Sequence, residues 1–173
     1  TKASKDELTL ENATCSDDDI ANGLTTERKE QIVEQVKKEK ASISKYGGYY
    51  IGRYEVGNEN NTAVIKAEQE PYTNIVWYQA YEMSKEMGGG KRATTYLCSS
   101  YAWDTAIVFI QNCGTNTKYS RQNRLNTSLA QTGTNSLTDT SKIDVQCNIY
   151  DMASNIEEWT TETSYDSDSP CVY

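Results

Sequence analysis

Apolar positions along this chain fall into three stretches of helical spacing, separated by short aromatic or β-branched runs and long polar gaps. In the first stretch, 26–44, Ile32, Val36 and Ile43 make one narrow stripe. That spacing predicts a helix. Thr25 or Thr26 can cap its start. Acids cluster early and lysines late, as the helix dipole favours. Glu34 and Lys38 form a favourable i,i+4 pair, and Gly47-Gly48 ends the run. The stripe is narrow for a core helix, so the expectation is a helix lying across a surface.

The second stretch, 75–87, follows Pro71, with Thr73 or Asn74 as its cap. Val76, Ala80, Met83 and Met87 share one predicted face, and Gly88-Gly89-Gly90 stops the helix. That glycine run follows a helix and lacks a G-K-[ST] ending, so it reads as a terminator and not a phosphate loop. The third stretch, 101–112, carries Trp103, Ala106, Ile107 and Ile110, is capped by Ser99 or Ser100, and closes at Gly114.

Between the helices, YYIGRYEVG (49–57) reads as a strand on its β-branched and aromatic content. GNENNTA (57–63) reads as a turn, and VIK (64–66) and ATTYLC (93–98) as short strands. Residues 114–141 are rich in Thr, Asn, Ser and Gln and predict a long irregular loop. The segment 143–162, IDVQCNIYDMASNIEEWTTE, returns to apolar and aromatic residues, and Trp159 is expected to be buried. Residues 1–24 are polar, acidic and aperiodic. They predict a poorly ordered tail in which Asp17-Asp18-Asp19 is a solvated charge run, without the spacing of an EF-hand loop.

Composition narrows the function classes. The chain has 173 residues and a net charge of −8. Acidity of this size disfavours nucleic acid, whose affinity comes from Lys and Arg displacing counterions. No apolar run approaches the roughly 18 residues of a membrane helix. Nothing near the start reads as an export signal, so membrane insertion is not expected and a cytoplasmic setting is favoured. There is no His, which removes Ser-His-Asp and Cys-His catalysis and every His-containing zinc site. The five Cys, at 15, 98, 113, 147 and 171, form no C-x-x-C pair and predict mostly reduced thiols.

No catalytic set assembles from these residues. The adjacent carboxylates Glu157 and Glu158 do not by themselves make an acid–base pair. In Asn155-Ile156-Glu157-Glu158 an amide and a carboxylate lie three residues apart with carbonyls between them, a hard-oxygen set of the kind that suits Ca²⁺.

Four segments, in order, resemble the formylglycine-generating enzyme family, also called the sulfatase-modifying factor domain. YYIGRYEVGN (49–58) is similar to the family's F-Y-I-G-R-Y-E-V-T-N strand. Pro71 followed by NIVWYQA (74–80) is similar to its Pro and V-S-W-x-x-A helix start. SSYAWDTA (99–106) is similar to E-A-E-W-E-Y-A, and NIYDMASNIEEWT (148–160) to G-L-Y-D-M-x-G-N-V-W-E-W. The first and fourth segments carry most of the likeness, which covers roughly 46–173.

The resemblance implies an α+β, C-type-lectin-like fold with two packed helices, short twisted sheets and much irregular chain. It implies the N-terminal and central part of such a domain over 46–173, behind the acidic tail over 1–24 and the leading helix over 25–45 that composition and spacing predict. It implies a structural Ca²⁺ held by Asn155 and Glu158 side chains, with carbonyls from Ile156 and Ser154. Ser154 stands where the family has Gly, and Glu157 where it has Trp.

The family's enzyme oxidises a substrate Cys to formylglycine with O₂ and copper held by two Cys after an R-G-G motif. By position that pair falls beyond Tyr173, so no catalytic residue is expected within this chain, and Cys171 reads as a structural thiol. The expected function is a non-catalytic scaffold, bacterial or phage-associated, that displays a binding surface to a protein or surface ligand. The alternative is a formylglycine-generating oxidoreductase whose copper site lies outside these residues.

Overall fold

The computed structural model describes residues 4–5, 20–21, 23–88, 93–120, 131–133 and 144–164. Most of the acidic tail expected over 1–24, and most of the polar loop expected over 114–141, lie outside the described residues. The fold is mixed α and β, with helices and small antiparallel sheets. The chain divides into two compact units. One comprises Thr1–Tyr50, Ile75–Ser100 and Glu158–Tyr173, and the other Ile51–Asn74 and Tyr101–Glu157.

The first unit is built on α1 (Thr26–Tyr46) and α2 (Trp77–Glu86). α1 starts where the Thr25 hydroxyl accepts from the Arg28 N–H at 3.2 Å. It ends where Gly47, at φ 82°, donates its N–H to the Ile43 carbonyl. Positive φ is open to Gly at no Cβ cost. The expectation of a surface-lying helix holds only for its second half. Ile32 and Val36 are fully buried and Val33 nearly so, because Val33 widens the stripe and aromatic rings from α2 pack on it.

In α2 the buried face is offset by one residue from the predicted one. Trp77 and Tyr81 are each 2% exposed, whereas Val76 is 47% exposed. The two rings stack, with centroids 5.2 Å apart. They join Leu24, Ile32 and Val33 in one cluster, flanked by Leu97 and Trp159. Burying an indole leaves an N–H to satisfy, and this unit does so twice: Trp77 Nε1 donates to the Thr160 carbonyl at 2.8 Å, and Trp159 Nε1 to that of Ile75 at 3.2 Å. Those two bonds, with Thr161 N–H to Cys98 O at 2.9 Å, tie 158–164 to the helical unit. Trp159, expected buried, is half-buried. The strand expected over 93–98 is irregular chain. A two-residue pair, β1 (Ser4–Lys5) with β7 (Thr163–Ser164), completes the unit.

In the second unit the strand expected over 49–57 does not form. The pairing starts at its end instead: β2 (Gly57–Glu59) pairs with β3 (Thr62–Val64) and with β4 (Glu70–Pro71). The reason is the turn. Asn60 and Asn61, at φ 52° and 62°, supply the two left-handed positions that a tight hairpin needs. The Asn58 Oδ1 accepts from the Asn61 N–H at 2.8 Å. The predicted turn over 57–63 is therefore a hairpin.

A second hairpin, β5 (Val145–Gln146) with β6 (Ile149–Tyr150), turns at Cys147 and Asn148, φ 53° and 66°. Helix α3 (Ser100–Cys113) buries Ala106, Ile107 and Ile110, as its spacing predicts. They pack with Tyr119 and Met152, and with the half-buried Ile51, Trp103 and Ile149.

The offset of α2 has a direct test. Trp77→Phe keeps the ring but leaves the Thr160 carbonyl without its donor, and is expected to cost about 1–3 kcal/mol in urea denaturation. Val76→Ala, on the face the periodicity favoured, is expected to change stability by less than about 0.5 kcal/mol.

Candidate functional site

The second unit holds a set of buried polar side chains that its hydrophobic cluster does not account for. Glu55, Asp144, Asp151, Ser154 and Asn155 are all buried, Asp144 completely. Removing carboxylates from water is expensive unless donors or a cation meet them.

Glu55 is met by donors. The Asn155 Nδ2 donates to its Oε2 at 2.6 Å, and the Ile156 N–H to its Oε1 at 3.3 Å. The segments carrying these residues touch again nearby. The Tyr150 N–H donates to the Arg53 carbonyl at 2.9 Å, and the Tyr54 and Tyr150 rings lie 5.0 Å apart. Asn155 sits at φ 67°, a left-handed position that Asn tolerates better than most residues.

Asp144 and Asp151 are met only in part. The Oδ2 of Asp144 accepts from the Tyr119 hydroxyl at 2.7 Å and the Ser154 hydroxyl at 2.8 Å. The Oδ2 of Asp151 accepts from the Gly133 N–H at 3.2 Å. The Oδ1 of each has no hydrogen-bond partner. The two residues are neighbours through the Asp151 N–H, which donates to the Asp144 carbonyl at 2.9 Å. The arrangement is held from several sides: Tyr119 also accepts from the Ala153 N–H at 3.0 Å, and Ser154 N–H donates to Asp151 O at 3.1 Å.

Burial pushes the Asp151 carboxyl up to about 6; the Gly133 N–H opposes this and the nearby Asp144 adds to it. A buried carboxyl prefers its neutral form unless a positive charge is supplied.

Of the residues the sequence picks out as calcium ligands, Asn155 is buried and spends its amide N–H on Glu55, and Ile156 is half-buried with its N–H on the same carboxylate. Glu158 is half-buried and belongs to the first unit. Among the described residues no three His, Cys, Asp or Glu side chains group in a metal-holding arrangement. The described cysteines, Cys98, Cys113 and Cys147, form no disulfide among the described residues. Sequence reasoning missed Glu55, Tyr119, Asp144 and Asp151. Glu55 and Asp151 stand inside the motifs already singled out, in YIGRYEV and NIYDM. Asp144 and Tyr119 carry no sequence signal, because only the fold brings them together.

Comparison with known protein families, with curated proteins and with solved structures finds no match for this chain.

The raised pKa gives a pH dependence with a definite sign. The unfolded carboxyl has its usual value near 3.8 and the folded one titrates at about 6. The favourable share of Asp151 is therefore complete below about pH 4 and is lost as pH rises through about 6. In EDTA, the stability of the wild type relative to Asp151→Asn is expected to fall by roughly 2 kcal/mol between pH 4 and pH 7, at about 1.4 kcal/mol per unit. A pH-independent difference between the two, measured by chemical denaturation, contradicts this.

Proposed function

We propose that this chain is a non-catalytic, C-type-lectin-like scaffold of the formylglycine-generating-enzyme type, steadied by a structural divalent cation, that presents a binding surface to a protein or surface ligand. One observation carries the reading. The two segments with the strongest likeness to that family, 49–58 and 148–160, are joined by the 2.6 Å hydrogen bond between Glu55 and Asn155, residues 100 apart in sequence. A chance likeness in two separate stretches gives no reason for them to meet through their own motif residues.

The cation reading rests on the orphaned oxygens of Asp144 and Asp151. They are hard oxygen donors, and two carboxylates match a doubly charged ion. This assigns the side-chain share of a Ca²⁺ site to Asp144 and Asp151, and leaves Asn155 and Ile156 to position the loop through Glu55. The ion would supply charge neutralisation and no redox chemistry. Copper oxidation of a substrate Cys needs a close thiol pair, and within these 173 residues no two Cys stand close in sequence.

Thermal and urea unfolding with Ca²⁺ and with EDTA test the cation. Ca²⁺ at about 100 times its Kd is expected to add about 2.7 kcal/mol to the wild type and nothing to Asp144→Asn or Asp151→Asn. Equal stability of the wild type in Ca²⁺ and EDTA overturns the site. Copper(I) titration of the protein made from its full gene tests the non-catalytic part. No uptake is expected. Stoichiometric uptake with conversion of a sulfatase-derived Cys peptide to formylglycine establishes the oxidoreductase instead.

A further inference from the structure

The first unit carries a separate feature, independent of the cation reading. A cleft of about 450 Å³ is lined by α1, by Tyr81 and Lys85 of α2, and by Tyr96. That volume lies within the roughly 300–1,000 Å³ of small-molecule sites.

Gln35 lines this cleft and is 3% exposed. Its Nε2 donates to the Leu97 carbonyl at 2.9 Å, which fixes the orientation of the amide. Its Oε1 is left buried with no hydrogen-bond partner. A buried acceptor without a donor has given up water and received nothing in return.

The charges around the same cleft are unevenly matched. Glu27, Glu30 and Glu34 follow one another along α1 at spacings of three and four, so they share a face. Lys38 pairs with Glu34 at 3.4 Å, and Lys85 with Glu82 at 3.2 Å. Glu27 and Glu30 have no ion pair among the described residues. Over the Tyr81 ring, the Lys85 Nζ stands 5.0 Å from the centroid, so the aromatic wall already accommodates one cation.

An orphaned neutral acceptor, two uncompensated carboxylates and an aromatic wall ask for a ligand that is positively charged and rich in N–H donors. We propose that this cleft binds a guanidinium or ammonium group, which donates to Gln35 Oε1 and is neutralised by Glu27 and Glu30. Guanidinium fits best, because its planar fork offers several donors at once and stacks on aromatic faces. The same chemistry is found in an Arg side chain of a peptide and in a free alkylguanidine.

The test uses the full chain and three probes: Nα-acetyl-arginine amide, agmatine and the neutral n-butylurea. Binding is followed through the ring NMR signals of Tyr81 and Tyr96. The expected result is that both cations shift these signals saturably, that added salt weakens them, and that butylurea does not bind. Tighter binding of the acetylated amide points to a peptide side chain, and tighter binding of agmatine to a free alkylguanidine. Gln35→Met is expected to weaken cation binding about tenfold or more, and Glu27→Gln with Glu30→Gln several-fold. Those two glutamates are exposed, so the pair carries the test if Gln35→Met fails to fold. Absence of any shift, equal binding of butylurea, or unchanged affinity in the glutamate pair overturns the proposal.

Discussion

The buried Glu55 carboxylate is the constraint on which the second unit depends. It stands just before β2, in a segment with no strand pairing of its own, and it accepts from Asn155 and Ile156 in the loop after β6. That loop cannot drift without stranding a buried charge, and stranding one costs more than an ordinary contact returns. The left-handed backbone at Asp151 and Asn155 follows from the same demand: the loop must turn sharply twice to aim an amide and an N–H at one carboxylate. Around this bond sit two more buried carboxylates, each with one oxygen satisfied and one not. Both oxygens of Glu55 thus accept a hydrogen bond, whereas Asp144 and Asp151 each keep one oxygen without a partner, and this contrast separates a structural bond from a candidate cation site.

The first unit solves a different problem. Its core is aromatic, and an indole N–H turned away from water must find an acceptor. Trp77 and Trp159 find theirs across a long sequence gap, in Thr160 and Ile75. The same pair of helices leaves a polar cleft with its own orphaned acceptor. The two units therefore carry different unsatisfied chemistry: carboxylate oxygens in one, an amide oxygen beside carboxylates in the other. The ligands proposed for them differ accordingly, a hard metal ion in one and an organic cation in the other.

Much of the helical structure was legible in the sequence. All three stretches of helical spacing are helices, and the buried face of α3 follows its periodicity. The α2 face departs from its aliphatic spacing because Trp77 and Tyr81, whose rings bury more area, decide which side faces inward. The strand expected at 49–57 failed because β-branched content says nothing about pairing, whereas Asn60-Asn61 dictates where the hairpin must turn. Of the candidate site, the motif residues Glu55, Asp151 and Asn155 lay in stretches the sequence singles out. Their partners Tyr119 and Asp144 did not, since a hydrogen bond across 25 residues leaves no local pattern. The polar cleft was illegible for the same reason: Gln35 reads as one more surface residue of an amphipathic helix until Leu97 fixes its amide.

The Glu55–Asn155 bond, more than mere proximity, unites the two motif segments. A double-mutant cycle over Glu55→Ala and Asn155→Ala, read by urea denaturation, measures that bond directly. Strong coupling is expected, about 1 kcal/mol or more, with the double variant little worse than the poorer single one. Additive effects within about 0.3–0.5 kcal/mol would mean that the two residues act independently and that the meeting of the motifs rests on something else.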